Sequence, residues 1–387
     1  MPDLIASQRN IFDIPRDVAY LNCAYVGPLS HTVIAAGASG IASKVQPWTL
    51  TPNDFFEPVD AVRALAASLF GGSAGDYAIV PSASYGVAAA AANLPVEAGQ
   101  DIVLLGEQFP SNVYSWKRLA DEAGASLRFV TRNEARQADG TLDWAAAVIA
   151  AISDRTAVVA LPHCHWTDGT LVDLARVGPK CRDVDAALVL DLTQSAGARP
   201  IDLAEIGADF AVIAAYKWLL GPYATGLFYA APHRQDGRPL EENWITRDGA
   251  ENFAGLVDYA GGYQPGAVRY DMGERANFHL LPMLHAALEQ IERWGIANIE
   301  HTLGEKTQAL ASRASELGFT VMPQSARASH FAGLNRDGGL PENLVARLAQ
   351  HNVHVSVRGS TVRVTPHLYN DEDDFDRFAE AMKACLG

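Results

Sequence analysis

Cysteine is scarce: Cys23, Cys164, Cys181 and Cys385 are scattered through 387 residues with no C-x-x-C or zinc-knuckle spacing. That spacing argues against a disulfide scaffold or a structural metal site, and a reducing cytoplasm is the expected compartment. Basic residues are outnumbered, 30 Lys and Arg against 45 Asp and Glu, and the net charge of −15 repels polyanions, so nucleic acid is not expected as a partner. Long apolar runs are missing too. None approaches the roughly 18 residues of a membrane span, and the opening MPDLIASQRNIFDIPRD has no basic start followed by an apolar stretch. Neither a membrane nor an export route is expected. Internal repeats and low-complexity tracts are absent as well.

What the chain does have is apolar material, 49% of its residues, enough for a large core and for one large and one small domain. From about residue 77 to 232, short β-rich runs alternate with helix-patterned segments. The runs are YAIVPS (77–82), DIVLLGE (101–107), SLRFVT (126–131), TAVVALPH (156–163), ALVLDLT (187–193), FAVIAAYK (210–217) and ATGLFYA (224–230). Helices are expected in NVYSWKRLADEAG and TLDWAAAVIAAI, each with a turn signal at its edge. The pattern predicts an α/β fold with a doubly wound, mostly parallel sheet of seven strands. After about residue 265 a long helix, LLPMLHAALEQIERWG, a second one near Gly304 to Leu317 and short strands around Val321 and Val353 to Val364 read as a smaller α+β domain. The division expected is 15–265 for the large domain and 266–387, with 1–14, for the small one.

Ligands of open α/β sheets collect beyond the carboxyl ends of the strands. Asp191, in the apolar run ALVLDLT, needs a cationic partner, because an unpaired buried charge costs several kcal/mol. A protonated pyridine nitrogen is one such partner; a capped helix or a buried Arg is the alternative. The next run ends in AAYKWLLGPYATG, where Lys217 lies between Tyr216 and Trp218. An amine in apolar surroundings deprotonates more easily and is suited to a Schiff base, whereas a lysine at a strand exit can also be merely solvated. The two residues together favour the chemical reading over either bland one.

DLTQS followed by AAYKWLLGPYATG resembles the class V aminotransferase family of fold-type I enzymes that use pyridoxal 5′-phosphate (PLP), which includes kynureninases, cysteine desulfurases, carbon–sulfur lyases and isopenicillin-epimerase-like proteins. The resemblance starts at YLNCAYVGPLS (20–30), runs through PSASYGVAAAA, EQFPSNVY and HCHWTDG, and ends at VRVTPHLYN (362–370). It implies the PLP-dependent transferase fold, with Lys217 as catalytic residue carrying the cofactor, Asp191 on the pyridine nitrogen and Gln194 near the phenolic oxygen. It also implies phosphate contacts from Ser82, Ala83 and Ser84, whose amides open a helix. Alone, a Ser there is an ordinary helix cap. Phe109 is implied to stack on the ring and Tyr216 to reach the phosphate, though each could be a plain core residue. Arg363 is implied to grip the substrate carboxylate, with Arg358 as its rival. Tyr25, Asn277 and His279 are further pocket candidates, and 261–277 corresponds to a segment that crosses subunits in the family, so a homodimer is expected.

Three departures stand out. Trp166 occupies the place of an Asn that desulfurases carry, shifting its contact to Thr167 or removing it. Ala214 and Ala215 replace hydroxyl residues before the lysine. Glu274 stands where a Thr is usual, with Arg275 as its possible neutraliser. His163 and His165 share a face as alternate residues of a strand, but a metal reading lacks a third ligand beyond Asp168. No metal is expected. No cysteine falls between Cys181 and Cys385, which disfavours a persulfide route. The expected activity is transamination or Cβ–X cleavage of an α-amino acid, leaning to the kynureninase side, with carbon–sulfur lysis or epimerisation as alternatives. A non-catalytic PLP-binding protein is a further alternative, but the family pattern leaves no room for an N-terminal DNA-reading module.

Overall fold

The seven apolar runs become one sheet. In the computed structural model, which describes residues 2–259 and 261–386, its strands are β1 (Tyr77–Val80), β2 (Asp101–Leu105), β3 (Ser126–Val130), β4 (Thr156–Pro162), β5 (Ala187–Asp191), β6 (Phe210–Ala214) and β7 (Gly226–Ala230). Their order is β3-β2-β4-β5-β6-β7-β1. β2 pairs in parallel with β3 and β4, β4 with β5, and β5 with β6; β7 runs antiparallel to β6 and β1. The doubly wound, mostly parallel sheet is thus as expected.

Double winding follows from the period of two. On β6, Phe210 and Val212 join a core with Val87 and Ala90 of the helix Ala83–Ala91, while Ala211 and Ile213 join the opposite core with Trp144 and Val148 of the helix Trp144–Ala151. Both faces are covered, so β5, β6 and β7 are buried at every position. β6 ends at Ala214, three residues before the lysine that the apolar run had placed on it. The chain turns there instead: the Gly221 amide donates to the Ala215 carbonyl at 3.0 Å and the Leu220 amide to that of Lys217 at 3.1 Å.

The C-terminal part is a four-stranded antiparallel sheet ordered Ser356–Arg358, Thr361–Val364, Ala332–Asn335, Thr320–Val321. It is covered by Leu310 and Ala314 of the helix Ile296–Glu316 and by Phe375, Phe378 and Met382 of the helix Glu372–Leu386. Ala19 and Leu21 join this core, and Ala19–Tyr20 pairs in parallel with Val353–His354. Leu281, Leu284, Leu288 and Ile291 of the helix Leu280–Trp294 instead join the core that holds Val59, Val62 and Ala66. The large core therefore continues past residue 265 into this helix. Among the described residues, no helix is long and apolar enough to cross a membrane.

Candidate active site

The carboxyl ends of β1, β2, β4, β5 and β6 open on one edge of the sheet and enclose a cavity of about 200 Å³. Its walls include Ser82, Ala83, Ser84, Phe109, Asp191, Gln194, Tyr216 and Lys217, eight of the residues singled out in the sequence. Trp166, Thr193, Thr225, Tyr223 and Cys164 are also part of the wall. Of these, only Trp166 carried a signal in the sequence, as a departure from a pattern; the others read as loop or strand residues.

Lys217 is 6% exposed. Its amine lies 5.4 Å from the ring centroids of Phe109 and of Tyr216, and among the described residues it has no hydrogen-bond partner. Burial pushes its pKa down to about 8, against the opposing pull of Asp191. The lysine turn is fixed from behind by Gly27, whose amide donates to the Tyr216 carbonyl at 2.8 Å. A Cβ at Gly27 would come within 2.2 Å of the Lys217 carbonyl oxygen, which explains the glycine in YVGPLS.

Asp191 ends β5 and is 8% exposed. Its Oδ1 accepts from the Thr193 amide at 3.0 Å, and the Thr193 hydroxyl accepts from the Ala214 amide at 3.2 Å, tying the ends of β5 and β6 together. Burial raises the pKa of this carboxyl, with Thr193 and Lys217 pulling the other way. Gln194 has its amide engaged within the protein: Nε2 donates to the Ala24 carbonyl at 3.1 Å and Oε1 accepts from the Trp218 indole at 3.1 Å. Ser82 caps the helix Ala83–Ala91, its Oγ accepting from the Tyr85 amide at 3.1 Å and lying 2.9 Å from Ser84 Oγ. Phe109 meets Trp166 edge to face, with centroids 5.3 Å apart.

Other candidates lie elsewhere. Thr167 does not line the cavity; its hydroxyl accepts from Arg132 Nη2 at 2.7 Å and sits 2.7 Å from His165 Nδ1. Arg363 is buried behind Trp166, with Nη1 donating to the Trp166 carbonyl at 3.0 Å and Nε to Ser356 Oγ at 2.9 Å. Tyr25 is 55% exposed and outside the cavity wall. Asn277 lines a separate cavity and accepts from the amides of Leu280 at 3.0 Å and His279 at 3.3 Å, which starts the helix Leu280–Trp294. Arg275 turns inward to Asp271, at 2.6 Å, rather than to the exposed Glu274, because a buried carboxylate attracts a cation more strongly than a solvated one. His163 and His165 part company: His163 Nε2 accepts from Arg199 at 3.2 Å, while His165 Nε2 donates to the Gly106 carbonyl at 3.0 Å.

A lysine amine without a hydrogen-bond partner among the described residues, a buried acid at the end of the strand beside the lysine turn, and a helix N-terminus with serine hydroxyls together suit a group carrying an aldehyde, a basic ring nitrogen and a phosphate. The donor set fits PLP. The model of the family described as aminotransferase class-V matches residues 52–378. The chain belongs to the class V aminotransferase family. It is an enzyme of that PLP-dependent family. Among curated relatives, the uncharacterized aminotransferase YcbU of Bacillus subtilis is 25% identical over 85% of this chain and 84% of its own length. A kynureninase of Deinococcus radiodurans is 28% identical over 70% of this chain and 65% of its own. Among solved structures, the cystine C–S lyase C-DES, in complex with cysteine persulfide, superposes with a TM-score of 0.84 at 19% identity over 95% of this chain and 97% of that one, a likeness of fold.

Proposed function

We propose that this enzyme acts on an α-amino acid, by transamination or by Cβ–X cleavage, with Lys217 holding the cofactor's aldehyde carbon. One observation carries the reading: Lys217 is a buried residue whose amine has no hydrogen-bond partner among the described residues and which lines the same cavity as the buried Asp191. Asp191 would face the ring nitrogen, Phe109 the ring, and Ser84, Tyr216 and the amides after Ser82 the phosphate. Gln194, already committed to Ala24 and Trp218, would offer the phenolic oxygen its remaining N–H. Bound there, the cofactor supplies an electron-poor ring that stabilises negative charge at the substrate Cα. Lys217 Nζ, as a free amine, would be the base that moves the Cα proton, and a pKa near 8 suits that task at neutral pH. Arg363 would hold the α-carboxylate.

All four cysteines are buried, which supports cleavage or transamination over a route through a protein persulfide. Four unpaired thiols also fit a reducing cytoplasm. A homodimer is part of the same reading, and Trp48, Val257 and Tyr259, 78%, 74% and 90% exposed, are apolar side chains that a partner subunit would cover. Asn277 and Tyr25 would then serve a site only across the subunit boundary. Light scattering should report a dimer at assay concentration, and a monomer would remove this part.

The test of the whole is the visible spectrum of protein reconstituted with PLP, borohydride reduction with peptide mapping, and an amino-acid screen. A coloured protein labelled at Lys217 is expected, with keto-acid exchange or release of ammonia, alanine or sulfide; anthranilate from kynurenine would select the kynureninase branch. Colourless protein, or label on another lysine, would end the proposal.

A further inference from the structure

The hairpin Ser356–Arg358/Thr361–Val364 carries two arginines toward the site. Ser356 stands opposite Arg363 and Arg358 opposite Thr361, so all four side chains share one face, with Arg358 and Arg363 diagonal neighbours about 7–8 Å apart. Their guanidinium carbons lie 5.7 and 5.9 Å from the Trp166 ring centroid. Among the described residues Arg363 bonds to Ser356 and the Trp166 carbonyl, and Arg358 to the Val357 carbonyl at 2.8 Å, with no others. Neither has a carboxylate partner among the described residues. Arg132, across the same cleft, is neutralised by Glu107 and Asp168.

Two adjacent cations with neutral partners repel each other, and burial adds to the cost for Arg363. Glu107, Asp139, Asp168 and Asp337 line the cleft beside Arg358, yet among the described residues none of them pairs with either arginine, and Glu107 and Asp168 are engaged with Arg132. One substrate α-carboxylate neutralises one arginine. Arg358 is only half-buried and lines a cleft of about 1100 Å³ together with Trp166, which also forms a wall of the Lys217 cavity. Trp166 is the wall that the two spaces share, and the Arg358 charge is close enough to act on the Lys217 amine, so a substrate side chain that passes Trp166 would meet Arg358.

We propose that Arg358 is a specificity residue for a second anionic group, so that the substrate is an amino acid whose side chain ends in a carboxylate or a sulfinate. This rests on the reading that the Lys217 site acts on an α-amino acid. The bidentate fork of a guanidinium suits both end groups.

The test compares PLP-loaded wild type with R358Q and R358K on glutamate, aspartate, cysteine sulfinate, alanine and kynurenine. Wild type should favour the anionic side chains, with preference among the three telling carboxylate from sulfinate. R358Q should lower kcat/KM for them about 10- to 100-fold, chiefly through KM, with alanine unaffected and R358K giving partial recovery. A second measurement needs no turnover: glutarate should change the tryptophan fluorescence of wild type, propionate should do so far less, and R358Q should lose the glutarate response. Preference for alanine or kynurenine over the acids, or an equal response of R358Q and wild type to glutarate, would overturn the proposal. Failure of the Lys217 reading shows separately, as absence of the visible band and of the borohydride label.

Discussion

Asp271 and Asp191 are both enclosed carboxylates of the large α/β unit, and the fold treats them in opposite ways. Asp271 is 1% exposed and is met by the guanidinium groups of Arg63 and Arg275 and by the Ile79 amide at 2.6 Å. Asp191 has the Thr193 amide, and among the described residues the cation that acts on it is Lys217, which burial itself drives toward the neutral form. At the first site the chain provides the counter-ions and gains a fixed structure. At the second it leaves charge underpaired, a cost that only a bound group can offset. Underpaired burial, more than burial of charge as such, is what marks the functional site.

That contrast can be broken most directly at Asp271. Asp271→Ala takes the carboxylate partner from the buried Arg275 and leaves Arg63 with the exposed Asp60, and should destabilise the protein by about 3–5 kcal/mol in a denaturant titration. Asp191→Asn should instead leave the cofactor-free protein at least as stable, while lowering kcat of the reconstituted enzyme by about 10²–10³-fold. Similar losses of stability from the two variants would erase the distinction. A smaller version of the same comparison lies at the helix N-terminus. Ser82→Ala removes the cap on the Tyr85 amide and should cost about 1 kcal/mol by thermal melt, whereas Ser84→Ala should leave the melt unchanged and weaken PLP affinity.

The smallest expected effect is on pH. The folded pKa of Lys217, about 8, lies below its ordinary value of 10.5, so between those limits the unfolded chain holds a proton that the folded chain lacks. This group's contribution therefore makes stability rise with pH across that window. Reaction of cofactor-free protein with PLP should be half-maximal near pH 8. Since Asp191 opposes the downward shift, Asp191→Asn should move that midpoint lower still. A midpoint near 10.5 in both proteins would mean that the amine is solvated.

Much of the site was legible because strand ends are legible. Asp191 and Lys217 each close an apolar run, and β5 and β6 do pair, so two residues distant in sequence line one cavity. Thr193 was not legible, since its role is to join two strand ends through one hydroxyl and one amide. Nor was the diversion of Thr167 to Arg132, which depends on an ion-pair network joining two loops to the start of the short helix Arg132–Ala135. Asn277 lies in a place where sequence alone could not tell a pocket residue from the start of a helix.

By itself, the sequence determined the alternation of strands and helices, the apolar faces that wind the sheet twice, and the residue types at the strand ends. These depend on period and composition, which are local. Only the tertiary structure decided which charges are neutralised, because pairing is a matter of distance between elements far apart in the chain. It gave Asp271 two arginines, gave Asp191 and Arg358 no such partner among the described residues, and so separated the charges that hold the fold from those left for a ligand.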